Sequence, residues 1–151
     1  MIEHVWTLIC SNVVTDSGTN NISIFNILEE IVVPEQIVQK NIIKIAIELS
    51  ELWVRSDPSE PEKGKSRVDM VSPSGEVMDS TIADIDLSTY QRIRLRGLYQ
   101  GLPYKGDGVY KFIVYYNSEN EGEDWIQVAA IPLKISMIHP QVEQADPAPT
   151  S

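Results

Sequence analysis

Arg92, Arg94 and Arg96 alternate strictly through the segment YQRIRLRGLY, and they are three of only five arginines in a chain of formal net charge -10. Period two places all three on one face of a strand. A guanidinium presents a planar fork that grips carboxylates and phosphates through paired hydrogen bonds. The stripe is therefore a candidate binding face for an acidic peptide, a phosphate-bearing ligand or a second subunit. A structural reading competes with it. The motif DID places Asp84 and Asp86 on one face of the preceding segment. If STIADIDLSTYQRIRLRG is a hairpin with a three-residue turn near Ser88–Tyr90, Asp86 falls opposite Arg92 and Asp84 opposite Arg94. Opposite charges at such positions brace a sheet modestly. A two-residue turn shifts the register and sets Asp84 against Ile93 instead. Ion pairing takes precedence over a ligand face, and both readings stay open.

Other chemistry is sparse. His4 and His139 have no second histidine or cysteine at metal-ligand spacing, which argues against a zinc site. Nucleophile-elbow, P-loop and dinucleotide-binding motifs are absent, and KGDG reads as a plain loop. Acidic residues gather in two loops, Asp57, Glu60 and Glu62 in one and Glu119, Glu121, Glu123 and Asp124 in the other. Loop carboxylates offer hard oxygen ligands to calcium if the loops meet, although neither has the spacing of a preformed calcium loop. Tyr99, Tyr104, Tyr115, Tyr116 and Trp125 are candidates for a glycan-binding face, against the plainer reading that strand aromatics pack on their neighbours. Asp84 and Asp86 lie about 7 Å apart along a strand, a separation compatible with glycoside hydrolysis, but nothing else builds a sugar platform.

The elements that must position these residues are strands. NIIKIAIELS sets Ile43, Ile45, Ile47 and Leu49 against Lys44, Glu48 and Ser50. VYKFIVYYN sets Tyr110, Phe112 and Val114 against Lys111, and WIQVAAIPLKISM sets Ile131, Leu133, Ile135 and Met137 against Lys134 and Ser136. Pro132 in the latter predicts an edge strand or a bulge. TDSGTNN and SPSG read as hairpin turns, with Gly18 and Gly75 at positive φ. Only PEQIVQK (Pro34–Lys40) has helical character, one or two turns long. About eight strands in alternation with almost no helix predict an all-β, antiparallel two-sheet β-sandwich. It occupies residues 1–138 as one domain. The proline-containing stretch 139–151 is expected to be a disordered tail.

Composition narrows the function classes. A length of 151 residues suffices for one well-buried domain. A surplus of 22 acidic over 12 basic residues opposes general binding to nucleic acid. The single Cys10 excludes an internal disulfide and reads as a small buried hydrophobe. The N-terminus lacks a basic n-region and a cleavage site, and no apolar run approaches membrane-helix length. A cytoplasmic chain is expected.

TNNISIFNILEEI (Thr19–Ile31) and GDGVYKFIVYYN…EDWIQVAAIPLKI (Gly106–Ile135) resemble the second strand and the final hairpin of an uncharacterised bacterial β-sandwich family, immunoglobulin-like or jelly-roll-like. The resemblance implies that fold and a bacterial origin, and it brings no activity with it. The expectation is a non-enzymatic binding or assembly module without a cofactor. It would present a sheet face or loop end to another protein or to a second copy, with Arg92, Arg94 and Arg96 as its binding residues. Neither nucleic acid nor a membrane is expected as a partner. The alternative is a calcium- or glycan-binding sandwich.

Overall fold

The computed structural model describes residues 1–59, 62–118 and 124–138. The tail from His139 onward therefore lies outside the described residues, as do Glu60, Glu119, Glu121 and Glu123. The chain is all-β. Its strands are β1 (Ile2–Thr15), β2 (Ile22–Ile27), β3 (Glu30–Pro34), β4 (Val38–Gln39), β5 (Ile42–Ile43) and β6 (Ile47–Arg55), then β7 (Glu62–Val71), β8 (Val77–Leu87), β9 (Arg92–Tyr99), β10 (Leu102–Pro103), β11 (Gly108–Ser118) and β12 (Ile126–Ile138). Among the described residues no helix is long and apolar enough to cross a membrane.

These strands form three sheets, where two sheets and about eight strands were expected. The orders are β2-β1-β6-β9, β10-β5-β4 and β3-β12-β11-β7-β8. The extra strands arise where one apolar pattern spans two sheets. ISIFNILEEIVV reads as one strand, yet Asn26 takes a φ of 52° and the chain leaves the four-stranded sheet there. It resumes as β3, which runs parallel to β12. NIIKIAIELS divides likewise into β5 and β6, although Ile43, Ile47 and Leu49 all reach the core. PEQIVQK is a single 3-10 turn at Glu35–Ile37, because the next residues pair as β4.

The hairpins β1–β2 and β7–β8 form as their turn residues predict, and β11 pairs antiparallel with β12. Gly75 has the expected positive φ, but in the first turn Asn20 (φ 58°) takes the left-handed position rather than Gly18. Asn is one of the few side chains that tolerates it. Pro132 lies on an open stretch of edge. Lys134 donates its N–H to Glu29 of the β3 side, and Pro132, two residues earlier, points to the same side where β3 has not begun.

One core joins the two larger sheets. Ile9, Leu49 and Trp53 from the four-stranded sheet pack with Met70, Ile85, Tyr110, Phe112, Val114, Leu133 and Ile135 from the five-stranded sheet. Trp53 meets Tyr116 at 5.7 Å between ring centroids, and Tyr99 meets Phe112 edge-on at 5.6 Å. Each of these contacts joins one sheet to the other. β8 and β9 are edge strands of different sheets, and the Ser88–Gln91 connection crosses between them.

Candidate functional site

The crossing corrects the expected β8–β9 ion pairs. Asp84 and Asp86 stand opposite Lys65 and Lys63 of β7, with Lys63 Nζ 3.9 Å from Asp86 Oδ2. The Asp86 carboxylate also accepts from the Ser88 amide and hydroxyl, and these bonds hold it below the usual carboxylate range. A hairpin would have kept both strands in one sheet. The chain instead uses the turn to begin the facing sheet, so the arginines find other partners.

Those partners follow from the curl of the four-stranded sheet. Arg94 Nη2 donates to the Asn20 carbonyl at 2.7 Å and to Asn20 Oδ1 at 3.0 Å. Asn20 lies in the β1–β2 turn, while β9 is the opposite edge of the sheet. Three strand spacings in a flat sheet amount to about 14 Å, more than an arginine side chain spans. The sheet must therefore curl, with the arginine face inside. Arg96 pairs through Nε with Glu48 Oε1 of β6 in a close charge-assisted bond. The Glu48 side chain is 4% exposed and that of Arg96 51%, so the cation seals a buried anion from the rim. The pair raises the Arg96 pKa, by the hydrogen bond first and the charge second. Arg92, opposite Val54, is exposed and makes no ion pair or hydrogen bond among the described residues. Among the described residues the stripe thus divides into a clamp (Arg94), a charge partner (Arg96) and an exposed arginine without a partner (Arg92).

Cys10 and Ser50 share the inside of the curl. Cys10 is fully buried, with Sγ 3.5 Å from the Glu48 carbonyl, and burial, with the Glu48 charge second, pushes its thiol pKa up. Ser50 is 1% exposed, and its hydroxyl has no hydrogen-bond partner among the described residues. Period two sends Glu48 and Ser50 to solvent, whereas the curl buries both. A buried hydroxyl without a partner costs about 1 to 3 kcal/mol. Ser50→Ala is therefore expected to leave the thermal midpoint unchanged or raise it by about 2 to 4 °C in a melting experiment.

A second arrangement lies between the sheets, where β8 and β9 leave a recess. Leu49, Glu51, Ser66, Thr81, Leu95 and Tyr99 are among its lining residues. Glu51, 4% exposed, accepts a hydrogen bond from Ser66 Oγ at 2.7 Å and one from Trp53 Nε1 at 3.3 Å. Burial raises its pKa, and the two hydrogen bonds only partly oppose this. Tyr99 is pushed up to about 12, by burial first and by the charge of Asp79 second, while a hydrogen bond with Thr81 of β8 opposes the shift. Glu51 was legible as an anomaly, because it stands on the apolar parity of β6 between Leu49 and Trp53.

Several of the remaining candidates are engaged in the fold. Tyr99 and Tyr116 pack on core aromatics, and the Arg67 guanidinium lies 4.3 Å from the Tyr115 ring centroid and 4.8 Å from that of Trp125. Tyr104 donates to Asp107, which raises its pKa to about 12. Asp107 also accepts from the Met137 amide, fastening the KGDG loop to β12. Asp57 Oδ1 accepts from the Ser59 amide and hydroxyl of its own turn. His4 lies edge-on to Trp53, bonds Thr7 Oγ1 at 2.6 Å, and has its pKa lowered by burial. Among the described residues no group of three histidine, cysteine or acidic side chains is placed to hold a metal ion. In comparisons with known proteins, the chain matches no family model and no curated sequence.

Proposed function

We propose that the chain is a non-enzymatic, cytoplasmic β-sandwich module that binds an extended, acidic protein segment along β9, in keeping with the bacterial sandwich family that Thr19–Ile31 and Gly106–Ile135 resemble. One observation carries this reading. Among the described residues β9 pairs with β6 alone, and its open edge carries the exposed Arg92, the half-exposed Arg96 and the 67% exposed Leu98. An unpaired strand edge is a template for a further strand. Backbone hydrogen bonds supply the affinity, and alternate side chains supply the selection. Guanidinium groups on alternate positions favour a strand with carboxylates on alternate positions.

The test is calorimetric titration of the protein with an 11-residue peptide alternating aspartate with valine or threonine. A peptide with lysine replacing each aspartate serves as the control. Saturable binding is expected for the acidic peptide alone, weakened about tenfold or more by Arg92→Glu and by raising the salt from 50 to 500 mM. Equal binding of the lysine peptide, or no binding of either by a monomeric protein, overturns the reading.

A further inference from the structure

We infer that the strand accepted by β9 is β8 of a second copy of this chain, in a two-fold dimer that continues both large sheets. This inference rests on the edge-binding reading above and names its partner. β8 and β9 are each the open edge of their own sheet, and they run in opposite directions because the short Ser88–Gln91 connection joins them. A second copy rotated by 180° about an axis parallel to these strands lays its β8 along β9 and its β9 along β8. Both pairings are antiparallel. The contact is isologous and closes on itself, so it ends at two copies and does not propagate.

The rotation keeps both turns at the same level, which sets the register. Asp86 of the second copy stands level with Arg92, and Asp84 of the second copy with Arg94. These are the pairs that the sequence pattern predicts within one chain and that the crossing between sheets prevents. Charge complementarity favours this arrangement over the other self-pairing. An antiparallel β9–β9 contact centred between Arg94 and Arg96 opposes arginine to arginine, which is destabilising. Apolar exposure agrees as well. Ile82 on β8 is 57% exposed and Leu98 on β9 is 67% exposed, and the register sets them diagonally across the junction. The second copy also covers the recess lined by Glu51, Thr81 and Tyr99, extending the core across the axis. An eight-residue strand is about 27 Å long, and two sheets with their side chains are about 20 Å deep. The contact then buries about 1,000 Å² over both partners, the lower bound for a specific interface.

Sedimentation velocity on the wild-type chain at micromolar concentration is expected to show a dimer near twice 17.0 kDa. Asp86→Arg and Arg92→Asp each set like charges together at both halves of the contact. Each alone is expected to weaken the dimer by about tenfold or more. Mixing the two variants restores opposite charges at both halves, so a heterodimer should form from two monomeric proteins. Far-ultraviolet circular dichroism verifies that each variant is folded, and the pair Asp84→Lys with Arg94→Asp replaces the pair Asp86→Arg with Arg92→Asp if Asp86→Arg is not. A wild type that sediments as a monomer overturns the inference. So does a dimer indifferent to both reversals, or a mixture that fails to associate. A monomeric wild type that still binds the acidic peptide overturns the second copy alone and leaves the edge-binding reading standing. A monomer that binds no acidic peptide removes both.

Discussion

Arg96→Ala is expected to lower the thermal midpoint by about 6 to 12 °C, on the order of 2 to 3 kcal/mol, whereas Arg92→Ala should change it by less than about 2 °C. The three arginines are identical in type and spacing, so the contrast tests their surroundings. Removing one member of a buried ion pair costs about 3 to 5 kcal/mol, because the other charge is left without compensation. Glu48 is the buried member here, and it cannot turn to water without opening the curl. The half exposure of the Arg96 side chain lets solvent reach one side of the pair, which places the estimate below that range. Arg94→Ala belongs between the two, at about 1 kcal/mol, since its two bonds to Asn20 are at the exposed tip of the β1–β2 turn.

A control separates charge from packing. Arg96→Ala combined with Glu48→Gln removes the uncompensated anion while keeping the side-chain volume of position 48. It should recover part of the loss seen with Arg96→Ala alone. Equal destabilisation by all three single arginine variants would show the stripe to be a uniform surface, and the curl would then need another cause. The expected order, Arg96 above Arg94 above Arg92, also identifies the arginine available to a partner. Arg92 is the position whose substitution should affect binding with little effect on folding.

The alternation of Tyr110, Phe112 and Val114, and of Leu133 and Ile135, was readable as one buried face because β11 and β12 pair regularly over most of their length. Local period decides facing wherever a strand keeps one sheet on one side and solvent on the other. Glu48 and Ser50 escape that rule. Their burial comes with the curl of the sheet, which also brings Arg94 to Asn20 across 74 residues of sequence, and no local pattern encodes it. The Asp84–Arg94 and Asp86–Arg92 pairs failed within the chain for a different reason. Charge alternation specifies that two strands are complementary, but not whether the connecting turn keeps them in the same sheet or starts the facing one. The split of ISIFNILEEIVV had a local sign in Asn26, one of the few residues that accepts positive φ, but its apolar pattern continues unbroken through the change of sheet.

Glu51→Ala and Glu51→Gln are expected to act in opposite directions at neutral pH. Alanine leaves the buried Ser66 hydroxyl and the Trp53 indole N–H without their acceptor, at about 2 to 4 kcal/mol for the two donors. The midpoint should fall by about 6 to 14 °C. Glutamine keeps an acceptor oxygen at the same place and removes the charge that burial disfavours, so the midpoint at pH 7 should equal or exceed that of the wild type. Their pH dependence distinguishes this account from simple repacking. The folded chain holds the Glu51 proton more tightly than the unfolded chain, because its pKa is raised. Between the two pKa values the folded state carries more protons, so this carboxylate's contribution to stability falls as pH rises. It is fully present below the unfolded value near 4.5 and lost on passing through the raised folded value. Asp16, Asp57 and Asp86, whose pKa values are lowered, contribute the reverse slope at lower pH. Melting curves from pH 4.5 to 8 should therefore show a decline in the wild type that is reduced in Glu51→Gln. Parallel curves for the two proteins would mean that Glu51 holds no extra proton in the folded chain. Its place on the apolar side of β6 would then reflect only its hydrogen bonds to Ser66 and Trp53.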